Sequence, residues 1–162
     1  MKKNYVSPDV LAGIKRAFPN AEYDAEAERP VLYIGADELI ALLTFLRDDS
    51  VLQLTRMENL TAVDWKDRFE MVYHLFAPVP MHWLTVKVQL PHENPIVPSA
   101  TAVFPGASFE EREVYDLMGI SFTGHPDLRR VFHRDDFVGH PLRKDFVPPP
   151  PPTIPRIQKE AF

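Results

Sequence analysis

The sequence predicts an α+β protein. It reads as a two-layer sandwich, helices on one face of a mixed β-sheet in the order α-β-β-α-β-β-β, followed by a helix and an extended proline-rich C-terminal arm. Three observations carry this prediction. Apolar residues recur at helical spacing near the start and again around residue 40. Two strictly alternating runs, Phe69–Phe76 and Trp83–Leu90, follow one another. Prolines, 17 in all, concentrate after Asn94, with five consecutive at Pro148–Pro152.

Taken in order, Ser7 offers an N-cap hydroxyl ahead of Pro8, and Val10, Leu11, Ile14 and Phe18 form a helical stripe that Pro19 ends. Glu22, Asp24, Glu26 and Glu28 alternate with Tyr23, Ala25 and Ala27, a strand whose acidic side suits a wetted edge or, alternatively, a stripe for a basic partner. Val31–Ile34 is a short apolar strand turned by Gly35. Asp37 is expected to cap a helix through Arg47 with Leu39, Ile40, Leu43 and Leu46 on its apolar face. Val51–Thr55 and Leu60–Trp65 read as strands joined across a bulge, with a turn at Asp67-Arg68. The two alternating runs then make a hairpin through Ala77–His82.

Beyond Leu90, Pro91, Pro95, Pro98 and Pro105 break any regular pattern. Ser108-x-x-Glu111 is a capping box opening a helix, and Gly119 is its C-terminal stop. At about 100° per residue, Val114, Leu117 and Met118 share one sector, with Arg112, Glu113 and Asp116 roughly opposite. A helical turn is expected near Leu128–His133, and polyproline II at Pro148–Pro152. The division that follows is a core domain over residues 1–120 and an extended arm over 121–162 that docks on partners.

Composition narrows the function. The length suits one domain with a full core. A net charge of −5 argues against nucleic acid as the main partner. The absence of cysteine removes disulfides, thiolate nucleophiles and the usual iron–sulfur ligands. No apolar run approaches the roughly 20 residues of a membrane span, and no apolar h-region follows the first lysines. The six glycines form neither GxGxxG nor GxxxxGK[ST].

The densest chemistry lies between Ser108 and Asp145, where GHPDLR at Gly124–Arg129 is echoed by GHPLR at Gly139–Arg143. Each GHP triplet reads as a rigid corner presenting an imidazole and, soon after, an arginine fork suited to interface carboxylates. Glu110 and Glu111 fall in the first helical turn, where the dipole favours carboxylates; as an acid/base pair they lack a matched nucleophile. His125, His133 and His140 with Asp136 define an alternative of another class, an independent metal-dependent hydrolase. Their spacing offers no HxH or HxxxH pair. Arg129, Arg130, Arg134, Arg143 and Lys144 are nearly cancelled by Asp127, Asp135, Asp136 and Asp145, which favours ion pairing within or between chains.

Glu111-Arg112-Glu113-Val114-Tyr115-Asp116-Leu117-Met118-Gly119-Ile120, then Gly124-His125-Pro126-Asp127-Leu128-Arg129-Arg130 and Gly139-His140-Pro141-Leu142-Arg143-Lys144-Asp145, resemble the signature of the 30 kDa-type (C) subunit of respiratory complex I and related energy-converting oxidoreductases. The likeness extends upstream through Leu60–Trp65, Arg68-Phe69-Glu70 and Val72–Leu75, covering about residues 50 to 146; Met118 stands where the family usually has Phe. The resemblance implies a non-catalytic peripheral-arm subunit of the quinone module of an NADH:quinone oxidoreductase, with no catalytic, cofactor or metal site of its own. It implies two partners, the quinone-site (D) subunit and the cluster-bearing iron–sulfur (B) subunit. Iron–sulfur clusters and quinone, with FMN and NADH where NADH is the donor, are then held elsewhere in the parent complex. It also implies a peripheral place on the cytoplasmic side of the membrane, reached through those partners. The expected interface is Glu111, Arg112, Glu113, Tyr115, Asp116 and Gly119, then Gly124, His125, Pro126, Leu128, Arg129 and Arg130, then Gly139, His140, Pro141, Arg143, Lys144 and Asp145. Ferredoxin- or F420-linked oxidoreductases and membrane-bound hydrogenases carry related subunits.

Overall fold

In the computed structural model, residues 8–24, 30–79 and 81–150 are described. The chain forms α1 (Pro8–Ala17), β1 (Glu22–Asp24), β2 (Val31–Tyr33), α2 (Leu39–Asp48), β3 (Arg56–Asp64), β4 (Arg68–Ala77), β5 (His82–Pro91), β6 (Ile96–Pro98), a 3-10 turn (Ala100–Ala102), α3 (Ala107–Met118) and β7 (Ser121–Thr123). Five strands make a sheet in the order β1-β2-β5-β4-β3, mixed because β2 and β5 run parallel while its other pairs are antiparallel. The expected mixed α+β class holds.

Alternation on β4 and β5 sorts the sheet into two faces. Phe69, Met71, Tyr73 and Leu75 lie opposite Leu90, Val88, Val86 and Leu84. All eight join residues of the three helices in one core cluster. The other face carries Glu70, Val72, His74 and Phe76 against Gln89, Lys87, Thr85 and Trp83, and none of these enters that cluster. Lys87 pairs with Glu70 at 2.8 Å there. Period-two patterning therefore decides which face receives the helices.

Several expectations are corrected. Asp37 does not cap α2: Glu38 holds the N-cap position without a side-chain bond, and the chain enters through backbone bonds from Glu38 to Gly35 and Leu39 to Ala36. Leu42, outside the expected stripe, is buried with Leu39, Leu43 and Leu46. Residues 51–55 are a loop rather than a strand. Asp49 Oδ1 takes the amides of Val51 and Leu52, and Leu54 N donates to Leu46 O, so the backbone donors a strand would need are committed locally. β3 is one strand with a register shift between Met57 and Asn59. The proline-rich stretch still yields β6, which pairs in parallel with β7 in a second small sheet. Acidic positions 26 and 28, Ser7 and the tail beyond Pro150 lie outside the described residues.

Candidate functional site

α3 is the post to which the signature segment is tied. It opens without the Ser108 capping box: Gly106 is the N-cap, and the amides of Ala107 and Ser108 bond to Phe104 and Pro105 carbonyls. Glu111 instead reaches sideways into the core. It accepts from Ser99 Oγ and the Ala100 amide, both at 2.6 Å, fixing the 3-10 turn. Burial pushes its carboxyl up, against the pull of those two bonds.

Asp116 is the hub. Helical phase alone puts it on the polar side of α3, yet it is fully buried. Its carboxylate accepts from Arg130 Nη1 at 2.7 Å and from the amides of Val131, Phe132 and His133 at 3.1, 2.7 and 2.9 Å. His133 Nδ1 lies 3.2 Å from Oδ1. Burial opposes its charge, but the bonds from His133, Phe132, Arg130 and Val131 outweigh it and hold the carboxyl well below the carboxylate range. Three successive amides converging on one carboxylate leave 130–133 no freedom to form the expected helical turn; the stretch is irregular.

Both GHP corners turn their imidazoles inward, which corrects the expectation of presented rings. At the first, Gly124 adopts φ 80°. His125 Nδ1 accepts from the Asp127 amide, so the proton sits on Nε2, which donates to Ser108 O at 3.1 Å. At the second, Gly139 has φ 95°, and His140 Nδ1 donates to the Asp116 carbonyl at 2.9 Å. The ring lies against Gly119, which closes α3 in the left-handed conformation; a Cβ there would come 2.6 Å from His140 Cδ2. Leu142 N then bonds Leu117 O, Lys144 N bonds Asp64 Oδ2 at 2.7 Å, and Arg143 Nη2 donates to His92 O. Arg143 also lies 5.0 Å over the Phe69 ring.

The three histidines are thus each taken up by α3, His125 at Ser108 and both His133 and His140 at Asp116, and nothing here supports a hydrolase built on them with Asp136, which instead pairs with Arg134 in solvent. Asp64, His92 and Asp145 do approach one another. However, Asp64 already accepts the amides of Lys66 and Lys144, and Arg143 lies 3.4 Å from Asp145. These bonds latch the second corner to the β3–β4 hairpin.

Of the other motif residues, Arg112 reaches the carbonyls of Arg129 and Arg130, while the Arg129 side chain is 65% exposed and, among the described residues, pairs with Asp127 alone. Glu113, Tyr115, Leu117 and Leu128 are half-buried. Facing outward are Phe132, Leu142, Val147 and Val138, the last 85% exposed. Sequence reading missed Ser99 and Asp64 as anchors; both sit where only the folded chain brings them to the segment.

The fold thus sets an ordered segment, bonded inward and apolar outward, on a mixed α+β core. Residues 32–152 match the family described as respiratory-chain NADH dehydrogenase, 30 Kd subunit, and the chain belongs to that family. It is 47% identical over 135 residues to the C subunit of NADH-quinone oxidoreductase from Moorella thermoacetica, covering 82% of this chain and 90% of that one. It is 42% identical over 144 residues to the corresponding subunit of Roseiflexus castenholzii, covering 86% and 83%. Among solved structures, it resembles a chain of the membrane-bound sulfane sulfur reductase, an archaeal respiratory membrane complex, with TM-score 0.71 and 27% identity over 86% of this chain and 84% of that one. It likewise resembles a trypsin-resistant fragment of Nqo5, with TM-score 0.64 and 26% identity over 74% and 97%. Among the described residues, no helix is long and apolar enough to cross a membrane.

Proposed function

We propose that this chain is a non-catalytic peripheral-arm subunit of an NADH:quinone oxidoreductase-type complex, orienting the quinone-site subunit and the iron–sulfur subunit beside it. Electron transfer between their centres depends on fixed distances, and a rigid third protein holds them. In this reading residues 1–120 are the supporting core and 121–162 the docking arm. Iron–sulfur clusters and quinone, and FMN where NADH is the donor, belong to other subunits, and the assembly lies on the cytoplasmic side of the membrane.

The observation that carries the reading is the two-sidedness of the signature segment. Asp116, Asp64 and the helix-end carbonyls fix its backbone, while Phe132, Val138 and Val147 are left exposed. An arm ordered beforehand avoids part of the entropy cost of docking. The test is Val138→Asp in the complete complex. The expected result is reduced recovery of the other subunits with unchanged turnover per intact complex. Full recovery with abolished turnover would overturn the reading. A second reading, the equivalent subunit of a ferredoxin- or F420-linked oxidoreductase or of a membrane-bound hydrogenase, draws support from the likeness to the archaeal reductase complex. Testing the purified complex with each reductant separates the two.

A further inference from the structure

β3 is the last strand of its sheet, so one side of its backbone has no strand partner among the described residues. Within the hairpin Trp65 N donates across to Arg68 O. On the opposite side the Leu60 backbone is near enough to the Glu110 carboxyl of α3 to favour its charged form. Strand alternation therefore turns the Ala62 amide away from β4, toward the same open side.

There a groove of about 300 Å³ lies between β3, α3 and the second GHP corner. Ala62, Val63, Val114, Leu117, Met118 and Leu142 form its apolar walls, and Val63 and Leu142 are exposed at its margin. Its charged lining is Glu113, Asp64 and Lys144. Asp64 is committed to backbone amides, and the Lys144 ammonium lies 5.8 Å over the Trp65 ring. Glu113 has no hydrogen bond or ion pair among the described residues. It also bears on Glu110, whose carboxyl is pushed up by burial and then by the Glu113 charge. The Glu113 charge in the groove lining therefore has no ion pair among the described residues to relieve it.

We infer that this groove receives an extended segment of a partner subunit, which lays an apolar side chain between β3 and α3 and sets a lysine or arginine against Glu113. An extended occupant fits because the open side offers backbone groups in strand spacing, and the walls offer a pocket for alternate side chains. The unpaired Glu113 carboxylate defines its charge. The inference rests on the proposed scaffold role and adds to it a second contact, independent of the outward residues of the arm.

The test uses the complete complex with a benzophenone amino acid at position 63. Irradiation is expected to join it to a lysine- or arginine-containing peptide of another subunit, identified by mass spectrometry. Cross-linking only to residues 153–162 of this chain, or none while the same probe at position 138 reacts, would overturn the inference. In parallel, Glu113→Lys is expected to leave the melting temperature of the isolated chain unchanged and to lower retention of partners in a salt wash about tenfold, with Glu113→Gln intermediate. Retention equal to the native complex would count against the groove. If Val138→Asp also leaves the complex intact, the scaffold reading fails; if Glu113→Lys alone does, only the groove fails.

Discussion

The two GHP corners read almost alike and are held in different ways. The first enters the start of α3: the His125 ring is bonded to Ser108, the backbone amide of Asp127 is turned back on the ring, and Arg129 is left in solvent. The second closes the far end of the helix, with His140 on the Asp116 carbonyl, Leu142 on Leu117 and Arg143 folded in over Phe69. The echo is therefore not a structural repeat. Glycine and proline set a similar bend in both places, and what each bend meets is decided by the end of the helix it reaches. One carboxylate, Asp116, holds the stretch between them at residues 130–133, and its partner Arg130 reaches on to Gly139 O at the second corner.

Asp116→Ala should produce the largest effect, because it strips Arg130 and three amides of their acceptor inside the protein. A loss of about 3–5 kcal/mol in urea unfolding is expected. Hydrogen exchange should rise at both corners; a rise at only one would break the idea of a shared hub. The pH dependence follows from the same carboxylate. Its folded pKa is depressed below the ordinary 3.8. Its stabilisation is thus complete above the unfolded value and is lost as pH falls from there through the folded value. Acid titration should show stability declining below about pH 4, less steeply in Asp116→Asn.

Gly119→Ala should separate the corners. It places a Cβ against His140 at a positive φ, costing roughly 1–3 kcal/mol, with exchange rising over 139–145 and unchanged over 124–130. The paired arginines give the finest contrast. Arg143→Ala should cost about 1–3 kcal/mol through its bond to His92 O and its place over Phe69. Arg129→Ala should stay within about 0.5 kcal/mol. Equal losses in thermal melts would show that the two corners are anchored alike after all.

Much of this architecture was legible from residue order. Alternation on Phe69–Phe76 and Trp83–Leu90 identified both central strands and their inner faces, and Gly119 was recognisable as the stop of α3. What escaped depended on groups far apart in the chain or on competition for backbone bonds. Asp116 counted as polar from its helical phase because the donors to its carboxylate arrive 14 to 17 residues later. Ser108-x-x-Glu111 fits a capping box, but carbonyls of Phe104 and Pro105 satisfy the entering amides first, which frees Glu111 for Ser99. Val51–Thr55 has strand composition, yet Asp49 captures its amides. The histidines resembled presented ligands because proline and glycine set only the direction of the chain, not the side on which the ring falls.

The nearness of the Glu110 carboxyl to the Leu60 backbone has a consequence for the chain before it finds company. A copy synthesised in excess would carry a nine-residue outer strand, the kind of surface on which identical molecules stack into fibrils. A negative charge parked on that ladder spoils the register any second copy would need, and it repels that copy's own carboxylate.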